Sequence, residues 1–200
     1  MLDAVLGRVL EMPLAKAGDA IAGRGVDATT VTLLGGAAGA LAAAAIALGW
    51  YSFRLLCFAI NRLADGLDGP VARAGATTDF GGFLDILIDA VIYLALAGAF
   101  ALADPKHLGI AILVIISLAS TYTAMLAFAA VAGKRDLRRE DAAARGLVHT
   151  GLVEGAETVA FFVIVCLWPD TFNWIGSIFA LMCWITVAQR VIAARAAFGD

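Results

Sequence analysis

This sequence is poor in charge, in proline and in anything resembling a linker. Asp, Glu, Lys and Arg make up 16% of its 200 residues, and only four are proline. There are no repeats and no linkers of domain-boundary type, the one charged stretch being KRDLRREDAAAR at 134–145, so residues 1–200 read as one domain. Basic excess is also missing. The 14 Lys and Arg are outnumbered by 17 Asp and Glu, giving a net charge of −3, which leaves no basic face for nucleic acid. The cysteines Cys57, Cys166 and Cys183 sit singly in apolar runs without pairing or metal-ligand spacing. That argues against a disulfide framework or a thiolate metal site and leaves them as small buried side chains. A secretory signal is not expected either, because Asp3 and Glu11 interrupt the region that should be apolar and no basic segment precedes it.

What remains is apolar. Hydrophobic residues form 62% of the chain, against about half in a soluble domain, and the mean hydropathy is +0.91. The excess lies in long runs, and a bilayer crossing needs about 20 such residues. Six runs qualify: Ala28 to Trp50, Ser52 to Arg73, Gly81 to Ala103, Leu108 to Gly133, Gly146 to Trp168, and Phe172 to about Ala194. The first two should form a hairpin around Tyr51. Ahead of them, Leu2, Val5, Leu6, Val9 and Leu10 recur at helical spacing, with Asp3, Arg8 and Glu11 elsewhere. That pattern predicts an amphipathic surface helix within a juxtamembrane segment, residues 1–25. The fold class expected is therefore all-α, six transmembrane helices (28–194) preceded by a surface helix.

Lys and Arg placement sets the expected orientation. With the N-terminus in the cytoplasm, Arg8, Lys16, Arg24, the cluster Lys134, Arg135, Arg138, Arg139 and Arg145, and then Arg190 and Arg195 all fall inside. Only Arg54 and Lys106 fall outside. The predicted location is the inner (cytoplasmic) membrane.

One stretch breaks the apolar rule. In DGLDGPVARAGATTDFGGFLDILID, Asp65 and Asp68 are i, i+3 on the second span, and Asp85 and Asp89 are i, i+4 on the third. Each pair shares a helical face. A link of about seven residues makes the spans antiparallel neighbours, so the acidic faces can meet at the cytoplasmic end. Carboxylates so placed cost roughly 2.5–3.5 kcal/mol each at mid-bilayer and less near the interface. A positive charge must offset them, and Arg62, Arg73 or divalent metal are the candidates. Oxygen-only ligands suit Mg²⁺, Mn²⁺ or Ca²⁺ rather than zinc. An EF-hand is excluded because its alternating acidic pattern is missing. Gly66, Gly69, Ala72, Gly81 and Gly82 leave a groove beside the acids free of side chains. Metal beside such a groove is the shape expected for a pyrophosphate-linked nucleotide.

The pattern resembles the signature of the CDP-alcohol phosphotransferase family, D-x2-D-G-x2-A-R-x8-G-x3-D-x3-D. It is matched by Asp65, Asp68, Gly69, Ala72, Arg73, Gly81, Asp85 and Asp89, with seven residues rather than eight between Arg73 and Gly81. The resemblance implies two divalent ions, Mg²⁺ or Mn²⁺, held by Asp65, Asp68, Asp85 and Asp89. It implies a CDP moiety against Gly69 and Ala72, with Asp65, Asp68 and Arg73 nearby, and Asp89 as the base that takes the acceptor proton. The implied reaction moves a phosphatidyl group from CDP-diacylglycerol to an alcohol and releases CMP. A CDP-amino alcohol with diacylglycerol as acceptor stays open. The Pro-Asn-x-x-Thr element of similar proteins is matched here only by Thr32, a candidate nucleotide contact. A homodimer among membrane lipids is also implied.

A second polar cluster, HTGLVEGAET, carries Glu154 and Glu157 at i, i+3, with Thr150 and Thr158 one turn away. These are candidates for the acceptor pocket, with Arg135, Arg138 and Arg139 near enough to reach a phosphate. The stretch itself has no base, which would suit a neutral polyol or a cationic head group. Glu154 and Glu157 could instead form salt links to Arg62 or Arg73. Two rival readings are weaker. Intramembrane prenyltransferases pair Asp motifs on separated helices without DG-x2-AR, and an ion transporter has no need of Gly69, Ala72 and Arg73.

Overall fold

The computed structural model describes residues 2–135 and 151–199. Among these residues all regular structure is helical. The seven α-helices are α1 (Leu2–Ala22), α2 (Ala28–Ala47), α3 (Tyr51–Ala74), α4 (Asp79–Ala103), α5 (Leu108–Lys134), α6 (Gly155–Leu167) and α7 (Phe172–Phe198). Four are long and apolar enough to cross a membrane, namely α2, α4, α5 and α7, the last two extended by the short helical turns that precede them. The all-α expectation and the N-terminal helix hold. The apolar set expected on that helix, Leu2 to Leu10, falls on side chains outside those described.

Two of the six expected spans differ from the other four. Helix α3 is long enough, but Arg54, Arg62, Asp65, Asp68 and Arg73 interrupt it. Helix α6 has 13 residues, about 20 Å at 1.5 Å per residue, which is short of a ~30 Å hydrocarbon core. The helix expected from Gly146 starts at Gly155 among the described residues, and the physical reason lies on α7. The N–H of Leu152 donates to Gln189 Oε1 (3.0 Å) and that of Val153 to Thr186 Oγ1 (2.9 Å). With these donors satisfied by α7 side chains, residues 151–154 run non-helically. Glu154 and Glu157 then start α6 as a reciprocal capping box. Glu154 is therefore a cap and not a residue on the helical face.

The other helix ends follow local chemistry. Asp27 caps α2 by accepting from Thr30 N at 3.2 Å and from the Thr30 hydroxyl, as its place before a helical run leads one to expect. The turn between α2 and α3 falls at Leu48–Trp50 rather than around Tyr51, because Gly49 takes φ +70°, a conformation open to glycine. Thr78 caps α4 by accepting from Gly81 N at 3.0 Å. A Cβ on Gly81 would lie 2.9 Å from the Thr78 hydroxyl oxygen, so this cap requires glycine there. The α3–α4 link is thereby cut to residues 75–78.

Helix α2 packs on α3 and α4, α1 lies on α3, α4 meets α5, and α5 packs on α7. Small residues make the closest approaches. A Cβ on Gly35 would stand 2.7 Å from Ala64 Cβ, and one on Gly39 2.7 Å from Ile92. The core is aromatic, with stacks of Tyr93 on Phe162, Phe100 on Phe172 and Phe161 on Phe179. At the end away from the acidic cluster, Asn173 Oδ1 lies 2.8 Å from His107 Nδ1, and Lys106 bridges Asp104 and Asp170.

Helix α1 is seated by one glycine. A Cβ on Gly18 would lie 2.6 Å from Pro70 Cβ and 2.8 Å from Pro70 carbonyl carbon, within the acidic stretch itself. Gly18→Val should lower stability by about 1–3 kcal/mol, the usual cost of overpacking against backbone. Thermal unfolding in detergent measures this, and an unchanged midpoint would show that α1 does not rest on Pro70.

Candidate active site at one end of the bundle

The four acids gather, though not by direct packing of α3 on α4. Helix α2 packs against both, and the two acidic helices meet mainly through side chains rather than backbone. The gap is bridged by side chains. Asp68 and Asp85 face each other within hydrogen-bonding reach. Arg62 spans the other pair, with Nη1 3.2 Å from Asp65 Oδ2 and Nη2 2.7 Å from Asp89 Oδ1. All four carboxylates line one small cleft with Thr32, Asn61 and Arg62.

Arg62 is fully engaged. Besides the two acids, Nη1 donates to Tyr93 Oη (2.7 Å), and Nε and Nη2 both donate to Asn61 Oδ1 (2.9 and 2.7 Å). These bonds use all five guanidinium N–H groups. Its plane also lies over the Tyr93 ring, 4.6 Å from the centroid. Asn61 is fixed in turn by donating from Nδ2 to Gly35 O at 2.9 Å. Of the candidate counter-charges, Arg62 is thus the one that meets Asp65 and Asp89. Arg73 turns back beside Gly69, where a Cβ would meet its Nη1 at 3.4 Å.

Two larger cavities meet at the acids. The first, about 450 Å³, is lined by Thr32, Asp68, Gly69, Ala72, Gly81, Gly82 and Asp85, with Asp27, Thr29 and Thr78 at its rim. Gly69 and Ala72 wall it without bulk. Thr32 donates to Asp68 Oδ2 at 3.0 Å, which places Thr32 beside the acids as well as in the cavity. Asp27, at the mouth, is held below the usual carboxylate range by its hydrogen bonds from Thr30.

The second cavity, about 250 Å³, opens on the other side of Asp65, Asp85 and Asp89 and is lined by Tyr122, Thr121, Glu154, Thr158 and Arg190. Of the acceptor candidates, Glu154 and Thr158 line it. Glu157 does not. Its Oε2 accepts from Glu154 N at 3.2 Å, so it closes the cap instead. Arg135 stacks over Phe198, 5.6 Å from the ring centroid. Thr150, Arg138 and Arg139 lie outside the described residues. The cavity is not base-poor, because Arg190 of α7 reaches it and donates from Nη1 to Thr121 O at 2.6 Å. Charge counting assigned Arg190 to membrane orientation alone, yet an arginine inside an apolar span is itself a functional signal. Tyr122 carried no such signal. Its hydroxyl donates to Asp89 Oδ2 at 3.1 Å, a contact set only by the approach of α5.

Among the described residues, no three His, Cys, Asp or Glu side chains stand together as ligands, since the four acids are engaged in pairs. The donor set nonetheless fits a hard divalent cation. It is all oxygen, and no salt bridge among the described residues neutralises Asp68 or Asp85.

Comparison with known proteins decides the family. The CDP-alcohol phosphatidyltransferase family matches residues 27–194. The chain belongs to this family. It is 40% identical over 169 residues to Inner membrane protein YnjF of Escherichia coli, covering 84% of this chain and 82% of that one. It is 28% identical over 197 residues to archaetidylinositol phosphate synthase of Pyrococcus horikoshii, 98% and 97% of the two chains. Its fold is similar to that of Mycobacterium tuberculosis phosphatidylinositol phosphate synthase crystallised with CDP-DAG bound. The TM-score there is 0.67 at 21% identity, over 91% of this chain and 93% of that one. The protein is thus an integral membrane enzyme of the CDP-alcohol phosphatidyltransferase class, and the resemblance read from the acidic stretch holds.

Removing one acid of the facing pair tests its demand for a cation. Asp85→Asn should raise the metal-free unfolding temperature by relieving repulsion at Asp68. Mn²⁺ should stabilise the wild type, by about 2.7 kcal/mol at a hundredfold excess over Kd, and leave the variant unmoved. Thermal unfolding with Mn²⁺ and with a chelator measures both effects, and equal stabilisation of the two proteins would contradict the assignment.

Proposed function

We propose that this enzyme transfers the phosphatidyl group of CDP-diacylglycerol to a hydroxyl of a polyol phosphate. The observation that carries this reading is the position of the four motif carboxylates between two cavities, one walled by small residues and the other by polar ones including Arg190. The CDP end of the donor belongs in the first cavity, where Gly69 and Ala72 admit a flat ring and Thr32 and Arg73 stand near. The acceptor belongs in the second, with its hydroxyl toward Asp89 and its phosphate toward Arg190. One relative is named archaetidylinositol phosphate synthase and a protein of similar fold phosphatidylinositol phosphate synthase, which supports a phosphorylated polyol over the neutral or cationic acceptor that the sequence alone favours.

The reaction follows from this placement. The acceptor oxygen bonds to the β-phosphorus as its proton passes to an Asp89 carboxylate oxygen. The bond from that phosphorus to the bridging oxygen breaks, and the electron pair leaves with CMP. Asp65, Asp68, Asp85 and Asp89 would hold divalent metal, which when bound neutralises charge on the attacking and departing oxygens. Helices α2 to α7 are assigned as six crossings, with the apolar face of α3 (Phe53, Leu56, Ile60 and Leu63) exposed to lipid. The acidic end faces the cytoplasm by the positive-inside rule.

Three variants test this with CMP release as the readout. Asp89→Asn should keep donor binding and lose at least about 100-fold in turnover, the lower range for losing a general base. Gly69→Leu should abolish donor binding by filling the first cavity. Arg190→Gln should raise KM for inositol phosphate roughly tenfold or more with donor affinity unchanged, the loss of one charged hydrogen bond. Turnover of unphosphorylated inositol or glycerol that ignores Arg190 would overturn the acceptor assignment.

A further inference from the structure

Asp89 makes contacts that a metal ligand or a base does not require in itself. One oxygen, Oδ1, accepts from Arg62 Nη2 at 2.7 Å, and the other, Oδ2, accepts from Tyr122 Oη at 3.1 Å. The two donors come from different helices, α3 and α5, while Asp89 stands on α4. A carboxylate held from one side can turn about its terminal torsion, which is a broad well. Held at both oxygens from two helices, its plane is fixed. Each oxygen has two lone pairs, so one on each stays open.

The donors are themselves fixed. Arg62 has no spare N–H, rests on the Tyr93 ring, and is tied through Asn61 to the backbone carbonyl of Gly35 on α2. Tyr122 lines the second cavity together with Thr121 and Glu154. The line Gly35–Asn61–Arg62–Asp89–Tyr122 therefore runs through four helices and ends at the cavity wall.

We infer that Tyr122 and Arg62 are positioning residues for Asp89, clamping its carboxylate so that an open lone pair faces the second cavity. This rests on Asp89 being the base. Tyr122 is the more informative partner to remove, because its phenyl ring can be kept while the hydroxyl goes. A looser carboxylate still contributes to metal and donor binding but seldom presents the right lone pair to the acceptor. Loss of Tyr122 thus acts on the chemical step.

The test compares Tyr122→Phe, Arg62→Met, Arg62→Lys and Asp89→Asn. It reads kcat and KM from CMP release, Mn²⁺ affinity from electron paramagnetic resonance, and thermal unfolding in detergent. Tyr122→Phe should lose about 10-fold or more in kcat, with donor KM, Mn²⁺ affinity and unfolding temperature close to wild type. Arg62→Met should lose more, and Arg62→Lys should fail to restore it, because an ammonium cannot reproduce the planar fork that meets Asn61, Tyr93 and both acids. If Tyr122→Phe turns over within twofold of wild type while Asp89→Asn is inactive, the clamp is wrong and the base assignment stands. If Mn²⁺ affinity or stability falls in step with kcat, Tyr122 supports the fold and the clamp is again wrong. If Asp89→Asn itself turns over normally, the reading beneath the inference fails.

Discussion

The guanidinium of Arg62 is the interaction on which the acidic end of the bundle depends. Two carboxylates on separate helices, Asp65 and Asp89, would repel each other across an apolar medium. Arg62 stands between them, and its side chain is only 12% exposed. A buried ion pair is favourable only when its remaining hydrogen-bonding groups are also satisfied. Here they are, through Asn61, Tyr93 and the two acids. The planar five-donor fork is what makes this possible, since a lysine could serve at most three partners and would leave the Tyr93 ring uncovered.

That interaction also explains how the site can be open. If α3 and α4 packed backbone to backbone, the acids would be crushed together with no room for ligands. Instead α2 takes the close contacts, through Gly35 against Ala64 and Gly39 against Ile92. The acidic helices are left to meet through side chains. The result is a cleft whose walls are tight and whose mouth is wide, with cavities of about 450 Å³ and about 250 Å³ on its two sides.

The legible and illegible parts of this arrangement divide by range. Helix class, the N-cap at Asp27 and the grouping of Asp65, Asp68, Asp85 and Asp89 follow from periodicity and from i, i+3 and i, i+4 spacing, which are local. Arg62 was legible only as one of three possible counter-charges, because the choice depends on which way side chains point across the gap. The extent of α6 was misread because its first turn is displaced by Thr186 and Gln189, residues more than 30 positions away. Glu154 and Glu157 have the spacing of a shared helical face and of a capping box alike, and only the start of the helix separates the two. Arg190 and Tyr122 reach the second cavity through tertiary contacts that no spacing in the chain encodes.

The four acids are not equivalent. Asp65 and Asp89 have a built-in cation, whereas Asp68 and Asp85 have each other. Asp68 accepts from Thr32 and from its neighbour Gly69 N, at 3.0 and 2.7 Å, and it is 7% exposed. Hydrogen bonds to a carboxylate are charge-assisted and worth about 1.5–3 kcal/mol net each. Two of them can offset the roughly 2.5–3.5 kcal/mol insertion cost of a single ionised side chain deep in a bilayer, but they do nothing for the repulsion between Asp68 and Asp85. Among the described residues the protein thus supplies one cation to the Asp65–Asp89 pair and none to the Asp68–Asp85 pair. The unmet demand sits at Asp68 and Asp85, the two acids that line the larger cavity, beside Gly69 and Ala72. A divalent cation arriving with a diphosphate would meet that demand from the cavity side without disturbing Arg62, so the fixed charge and the acquired charge can occupy the same cleft with separate tasks.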